Sequence, residues 1–351
     1  MPRPAFEFNG ETIKPGARAS LSLALPNLST YTPMTMPVHI VHGRKDGPVL
    51  FLSAAIHGDE INGVEIIRRV LKSSALKSLR GTLIAVPIVN VYGFVTHSRY
   101  LPDRRDLNRS FPGSEHGSLT ARLAHTFTDE ILSRAEFGID LHTGGLHRFN
   151  HPHIRANLDD IETDRLAKAF GTPVIINANL RDGSLRQMAA EKGIPILLYE
   201  AGEALRFDQL AIQAGVRGIR NVMQAVGMLP ERTRTTKREK VPAVEAKGST
   251  WVRAPQAGLF RSIAKVGARV VKDEIIGTVS DAFGDNESSV VAPATGIVIG
   301  RAHLPIVNEG DALYHIARFE ESTPVADAIE SFTSDHLEGL GPADYGSSGP
   351  I

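Results

Sequence analysis

An α/β fold built on a mostly parallel sheet, followed by a smaller all-β unit, is what this 351-residue chain predicts. Three observations carry that expectation. Across residues 41–228 short apolar runs alternate with helical patterns, as strands joined by crossover helices do. Residues 229–250 then turn polar and dense in charge, with Glu231-Arg232-Thr233-Arg234-Thr235-Thr236-Lys237-Arg238-Glu239-Lys240. Residues 251–319 change again, into brief β-like runs split by turns.

Taken in order, residues 1–40 are rich in Pro, Ser and Thr and read as an N-terminal β extension, an antiparallel addition to the sheet. Val49-Leu50-Phe51-Leu52-Ser53-Ala54-Ala55 reads as a buried parallel strand, and Ile61, Val64, Ile67 and Leu71 give the stripe of an amphipathic helix. His57-Gly58-Asp59-Glu60 therefore falls at a strand's carboxyl end, where open α/β sheets bind ligands. Imidazole nitrogen with carboxylate oxygen suits zinc, which in catalytic sites takes three protein ligands and leaves one position for water. By spacing alone the same residues also read as a loop histidine and a first-turn acid that suits a helix dipole.

Phe137-Gly138-Ile139-Asp140-Leu141-His142-Thr143-Gly144-Gly145 is a second apolar strand ending in a polar turn, and offers His142 as the third ligand. Asp140 shares its side of the strand and can fix the tautomer of a ligating imidazole. Between these segments the strand-like Thr82–Tyr92 leads to an arginine-rich loop, Arg99 to Gly113. Within it Asn108 and Arg109 can hold a carboxylate, the guanidinium by its planar fork and the amide as a neutral donor. Gly193 to Tyr199 forms another apolar strand and delivers Glu200 at its end.

Four motifs in order, His57-Gly58-Asp59-Glu60, Asp106-Leu107-Asn108-Arg109-Ser110-Phe111-Pro112-Gly113, Asp140-Leu141-His142-Thr143-Gly144 and Tyr199-Glu200-Ala201-Gly202, resemble the succinylglutamate desuccinylase/aspartoacylase family, part of the zinc carboxypeptidase superfamily. The resemblance covers about Val41 to Met228 and implies a zinc-carboxypeptidase-like catalytic domain. It implies one zinc ion per chain on His57, Glu60 and His142, a substrate carboxylate on Asn108 and Arg109, and Glu200 as the general base. Arg99 is the best match to the arginine that polarises the scissile carbonyl, although its Arg-Tyr step lies two residues further from Asp106 than in shorter members. Arg104 and Arg105 remain alternatives for that role.

Residues 229–250 read as a solvated linker rather than a nucleic-acid arm. In 251–319, Ala254-Pro255-Gln256-Ala257-Gly258 recurs loosely as Ala292-Pro293-Ala294-Thr295-Gly296, which suggests a β barrel or sandwich of two similar halves. It resembles a biotinyl/lipoyl-type domain, yet Ser280 to Glu287 holds no lysine, so a carrier role is not expected. A role in shaping the substrate entrance or in homo-oligomer contacts is. The tail, 320–351, is expected to be partly disordered in its last third.

Lysine plus arginine and aspartate plus glutamate are equal at 39 each, so no global field recruits nucleic acid or an anionic membrane. The chain has no cysteine, which excludes disulfides and thiolate zinc sites. Without an apolar leader in the first residues or a run of ~20 apolar residues, a cytoplasmic enzyme is expected. His147-Arg148-Phe149-Asn150-His151-Pro152-His153-Ile154-Arg155 reads as a loop lining the cleft rather than a second metal site, with His147, Arg148 and Arg155 as candidate substrate contacts. Three functions fit these residues: a zinc deacylase acting on a small N-acyl amino acid or amine, a metallocarboxypeptidase trimming peptides, and a catalytically dead binding module.

Overall fold

The computed structural model describes residues 3–231 and 243–337. A short hairpin, β1 (Phe6–Phe8) and β2 (Glu11–Ile13), precedes β3 (Arg18–Leu25) and β4 (Met34–His42), which pair antiparallel. Then come β5 (Lys45–Ala54), α1 (Asn62–Lys72), β6 (Arg80–Val86), α2 (Val91–Val95), α3 (Leu119–Glu130), β7 (Phe137–Gly144) and β8 (Arg148–Ala156). The next elements are α4 (Ile161–Phe170), β9 (Val174–Asn177), α5 (Leu185–Glu191), β10 (Ile196–Glu203) and α6 (Gln209–Ala225). The chain continues as β11 (Val244–Ala246), β12 (Gly248–Arg253), β13 (Gly258–Ser262), β14 (Arg269–Val270), β15 (Ile275–Ser280) and β16 (Glu287–Val291). It ends with β17 (Gly296–Ala302), β18 (Ile306–Val307), β19 (Ala312–Arg318) and α7 (Thr323–Leu337).

One large sheet runs in the order β12-β19-β17-β8-β10-β7-β5-β6-β4-β3, with β9, β11 and β14 off that path. The expectation of a mostly parallel sheet is corrected here. Parallel pairing is confined to β6-β5-β7-β10 and to β9 with its neighbours β8 and β11. The joins β3/β4, β4/β6, β8/β10, β8/β17, β17/β19, β12/β19 and β14/β17 are antiparallel. Parallel neighbours need a crossover helix between them. The meander before β5 and the hairpins after β11 have none, so both flanks add antiparallel.

The parallel centre is buried on both faces, which is why its strands are apolar without alternation. Leu50, Leu52, Ile139 and Leu141 face α1, α4 and α6, against Ile66, Ile67, Phe170, Ile219 and Val222. Phe51 and Ile84 face the other way with Leu123 and Phe127 of α3, and the Phe51 and Phe127 rings meet edge to face at 5.8 Å. Removing one such ring, as in Phe127→Ala, costs about 3–5 kcal/mol. In α1 the buried positions are Asn62, Gly63, Ile66, Ile67 and Val70, so the stripe is rotated from the predicted one, of which Ile67 is shared. Val64 and Leu71 pack at its margin.

The segment expected to be a loop at His147–Arg155 is largely strand β8. It escapes an alternating pattern because a bulge intervenes: His153 pairs with Glu200 but Asn150 with Gly202. Pro152 lies inside that bulge, where a missing N–H costs no ladder bond. The strand-like Thr82–Tyr92 resolves into β6, a short connection and the start of α2.

The C-terminal β region shares its sheet with the catalytic region, since β17 pairs with β8 through Gly300↔Asn150, Arg301↔Phe149 and Ala302↔Arg148. A second sheet, β16-β15-β13-β18, closes over it around Phe260, Ile276, Val298, Leu313 and Tyr314. Residues 232–242, at the heart of the expected linker, lie outside the described residues, and beyond them β11 pairs with β9. The expected tail carries α7, with Val325 and Ile329 packed beside β17 and β19 residues. Its last third lies outside the described residues.

Candidate metal centre and active site

The site forms where the parallel strands end. After β5 the chain turns through Ala55, whose φ is +51°, and presents His57 and Glu60 before α1 begins. Gly58 is needed there, because a Cβ would lie 2.1 Å from the Gly93 carbonyl carbon in α2. Asn62 ties the corner to the end of β10: its Nδ2 donates to the Ala201 carbonyl at 3.3 Å and its Oδ1 accepts from the Asp208 amide at 3.0 Å.

His57, Glu60 and His142 come together, with one ligand atom from each within 4.8 Å of the others. All three are buried. The Glu60 oxygens face the Nδ1 atoms of His57 and His142, each at 2.7 Å, and Oε2 also accepts from the Thr143 amide at 3.1 Å. The remaining nitrogens meet other carboxylates. His142 Nε2 donates to Asp140 at 2.7 Å, Ser53 Oγ donates to the second Asp140 oxygen at 2.7 Å, and His57 Nε2 donates to Asp106 at 3.2 Å. Burial pushes both imidazoles toward neutrality, yet the carboxylates around them outweigh it and raise both pKa values, that of His142 well above its ordinary position. Burial likewise opposes the ionised form of Glu60, but His57 and His142 hold its carboxyl far below the usual range.

This donor set fits zinc: two imidazole nitrogens and a carboxylate, with each histidine backed by a second carboxylate that orients the ring. Asp106 received no role from the sequence, although it opens the Asp-x-Asn-Arg motif. It caps the following turn by accepting from the Asn108 amide at 2.8 Å while also receiving His57.

Glu200 stands directly across from His142 in the register of β10 and β7, one strand spacing of about 4.8 Å away. Burial raises its pKa, and Arg155 and His142 oppose that rise. Its Oε2 accepts from Asn150 Nδ2 at 2.9 Å, a partner on β8 that sequence reasoning missed because the segment read as a loop. Of the three arginines considered for one role, Arg99 lies at the centre: it donates to Glu60 at 3.3 Å and to Asp106 at 2.9 Å. Arg104 and Arg105 are exposed.

Asn108 commits its Oδ1 to the Leu185 amide at 2.9 Å, so only its amide nitrogen can serve a substrate carboxylate. Arg109 donates to the Asn108 carbonyl. Burial lowers the Arg109 pKa, Asp106 works against that, and Arg181, Arg99 and Arg155 lower it further. Arg186 is pushed down to about 10 by burial and then by Arg155 and Arg181. The wall around Arg109 is thus crowded with guanidinium groups, of which Arg181 and Arg186 went unnoticed in the sequence because they enter from α5 and the loop before it. His147 and Arg148 are exposed at the start of β8 and take no part in the cluster around Glu60.

Residues 46–226 match the succinylglutamate desuccinylase/aspartoacylase catalytic domain. The chain belongs to that family. It is 28% identical over 307 residues, 84% of this chain and 89% of the relative, to the N-alpha-acetyl-L-2,4-diaminobutyric acid deacetylase of Halomonas elongata. Among solved structures it resembles a succinylglutamate desuccinylase/aspartoacylase from Rhodobacter sphaeroides, with 25% identity and a TM-score of 0.79 over 90% of this chain and 98% of that one. The fold is shared too with the ectoine utilization protein EutE (DoeB) of Ruegeria pomeroyi, at 24% identity and a TM-score of 0.79 over 90% and 98% of the two chains. Among the described residues no helix is long and apolar enough to cross a membrane.

Proposed function

We propose that the chain is a zinc-dependent amidohydrolase that removes the acyl group from the nitrogen of a small N-acyl amino acid. The observation that carries this reading is the His57-Glu60-His142 cluster, carboxylate-backed on both histidines, with Glu200 facing it from the next strand. Zinc, when bound, supplies Lewis acidity toward water and toward the scissile carbonyl. Asn108 and Arg109 hold the amino-acid carboxylate, so the amide is presented in one orientation. Glu200 takes a proton from the attacking water on a carboxylate oxygen and returns it to the leaving amine, a task helped by burial, which raises its pKa. Arg99 places its guanidinium where negative charge develops on the carbonyl oxygen, a contribution of about 3–4 kcal/mol for one well-placed donor.

The Halomonas relative, a deacetylase acting on an N-acetyl diamino acid, supports deacylation over peptide trimming. So does the sheet's continuation from β8 into β17, which brings the C-terminal β unit alongside the site and favours a small substrate. A hydrolysis screen on the zinc-loaded protein, read by amine release, tests the proposal with N-acetyl, N-succinyl and N-formyl amino acids, N-acetyl-2,4-diaminobutyrate and dipeptides. Release from N-acyl amino acids is expected. Activity confined to peptides would replace the proposal with a carboxypeptidase.

A further inference from the structure

We propose that Asn150 is a positioning residue for the Glu200 carboxylate, and that the C-terminal β unit acts on the site by seating Asn150 against Gly300. The inference rests on the reading of Glu200 as the base. Among the described residues Asn150 supplies the one hydrogen bond to that carboxylate, from Nδ2 to Oε2 at 2.9 Å. A carboxylate held by one oxygen cannot turn freely, and Oε1 is left as the proton acceptor.

The other end of the Asn150 amide meets the C-terminal unit. Gly300 of β17 pairs with Asn150 of β8, and a Cβ built on Gly300 would lie 2.7 Å from Asn150 Oδ1. The same Cβ would be 3.3 Å from His315 Cβ and 3.4 Å from the Phe149 carbonyl oxygen, so the space is closed on three sides. Glycine at 300 leaves just the room that the amide occupies. A methyl group there strikes the end of a side chain that can swing, so the fold survives while the amide leaves Glu200. Asn150 itself sits beyond the bulge in β8, which aims it at Glu200 rather than along the ladder. The β unit thus reaches the base through Gly300 and the Asn150 side chain, positions 150 residues apart in sequence.

The test uses Asn150→Ala, Gly300→Ala and the double variant in the full chain. Each single variant is expected to lower kcat roughly ten- to a hundredfold, as loss of one hydrogen bond to a charged group does. KM for the N-acyl amino acid, zinc content and Tm should stay close to the parent's. Because both substitutions remove the same contact, the double variant should be no slower than the worse single one. A second readout needs neither metal nor turnover: the Asn150 side-chain amide resonance, assigned by its loss in Asn150→Ala, should move in Gly300→Ala and in Glu200→Gln. Parent-like kcat in Gly300→Ala, multiplying effects in the double variant, or an unmoved resonance would each overturn the inference. A parent inactive on the whole substrate panel would instead overturn the functional reading, while the resonance would still decide the contact.

Discussion

Two sets of buried histidines lie in or beside one sheet, share the push of burial toward neutrality, and differ in the charges around them. His57 and His142 have carboxylates at both ring nitrogens, and their pKa values rise despite burial. His151, His153 and His315 are equally enclosed but, among the described residues, have no carboxylate beside them. Burial drives His151 down to about 4 and His315 down to about 3, and pushes His153 well below its ordinary value. Among the described residues the Nε2 atoms of His151 and His153 meet no hydrogen-bond partner, and the ring of His315 lies flat on Trp251 at 4.3 Å. Density of histidine in sequence therefore does not make a metal site. What makes one is convergence on a shared carboxylate with further carboxylates behind, and among the described residues only His57, Glu60 and His142 form such a group.

Four substitutions sharpen or break that contrast. The largest effect separates the base from the ligands: Glu200→Gln should keep zinc and lose turnover by roughly a thousandfold. Metal analysis beside kcat decides it, and a parent-like rate would mean that the proton is handled elsewhere. Next, Asp140→Asn removes the carboxylate behind His142 and should weaken zinc binding by about 10–100-fold in a chelator competition. His153→Gln should leave that affinity unchanged; equal losses in the two variants would erase the distinction between the two sets.

The smallest effect concerns acid stability. A histidine whose folded pKa is depressed takes up protons more readily when unfolded, so the stability it contributes is complete above about pH 6.5 and falls toward the folded value. For His315 that window runs down to about 3 and for His151 to about 4. Each contributes a slope of about 1.4 kcal/mol per pH unit within its window. His315→Phe keeps a ring on Trp251 and abolishes the titration, so urea unfolding at pH 7 and pH 5 should show a smaller acid loss than in the parent. An unchanged loss would mean that His315 stays charged in the folded chain.

Much of the site was legible because its pieces lie at strand ends with distinctive neighbours. His57 and Glu60 follow an apolar run and precede a helix, His142 ends a second run, and Glu200 a third, so pattern and position agree in the sequence itself. The partners were harder to see. Asp106 acts from a loop and Asn150 from a neighbouring strand, and nothing local marks a residue whose role is to hold another. Asn150 was hidden further by the bulge at Pro152, which breaks the period-two pattern by which strands are recognised. Sheet direction was misjudged for a related reason: an apolar run buried on both faces reads the same whichever way its neighbour points.

By itself the sequence determined the apolar strands, the helices that cross between them, the four motifs and hence the family, because these depend on residue type and short spacing. Only the tertiary structure decided that the flanking strands run antiparallel, that Arg99 rather than Arg104 or Arg105 lies against Glu60 and Asp106, and that β17 closes on β8. Those are contacts between segments far apart in the chain, chosen by hydrogen-bond pairing and by whether a side chain fits. At Gly300 and Asn150 that choice comes down to the space of one methyl group.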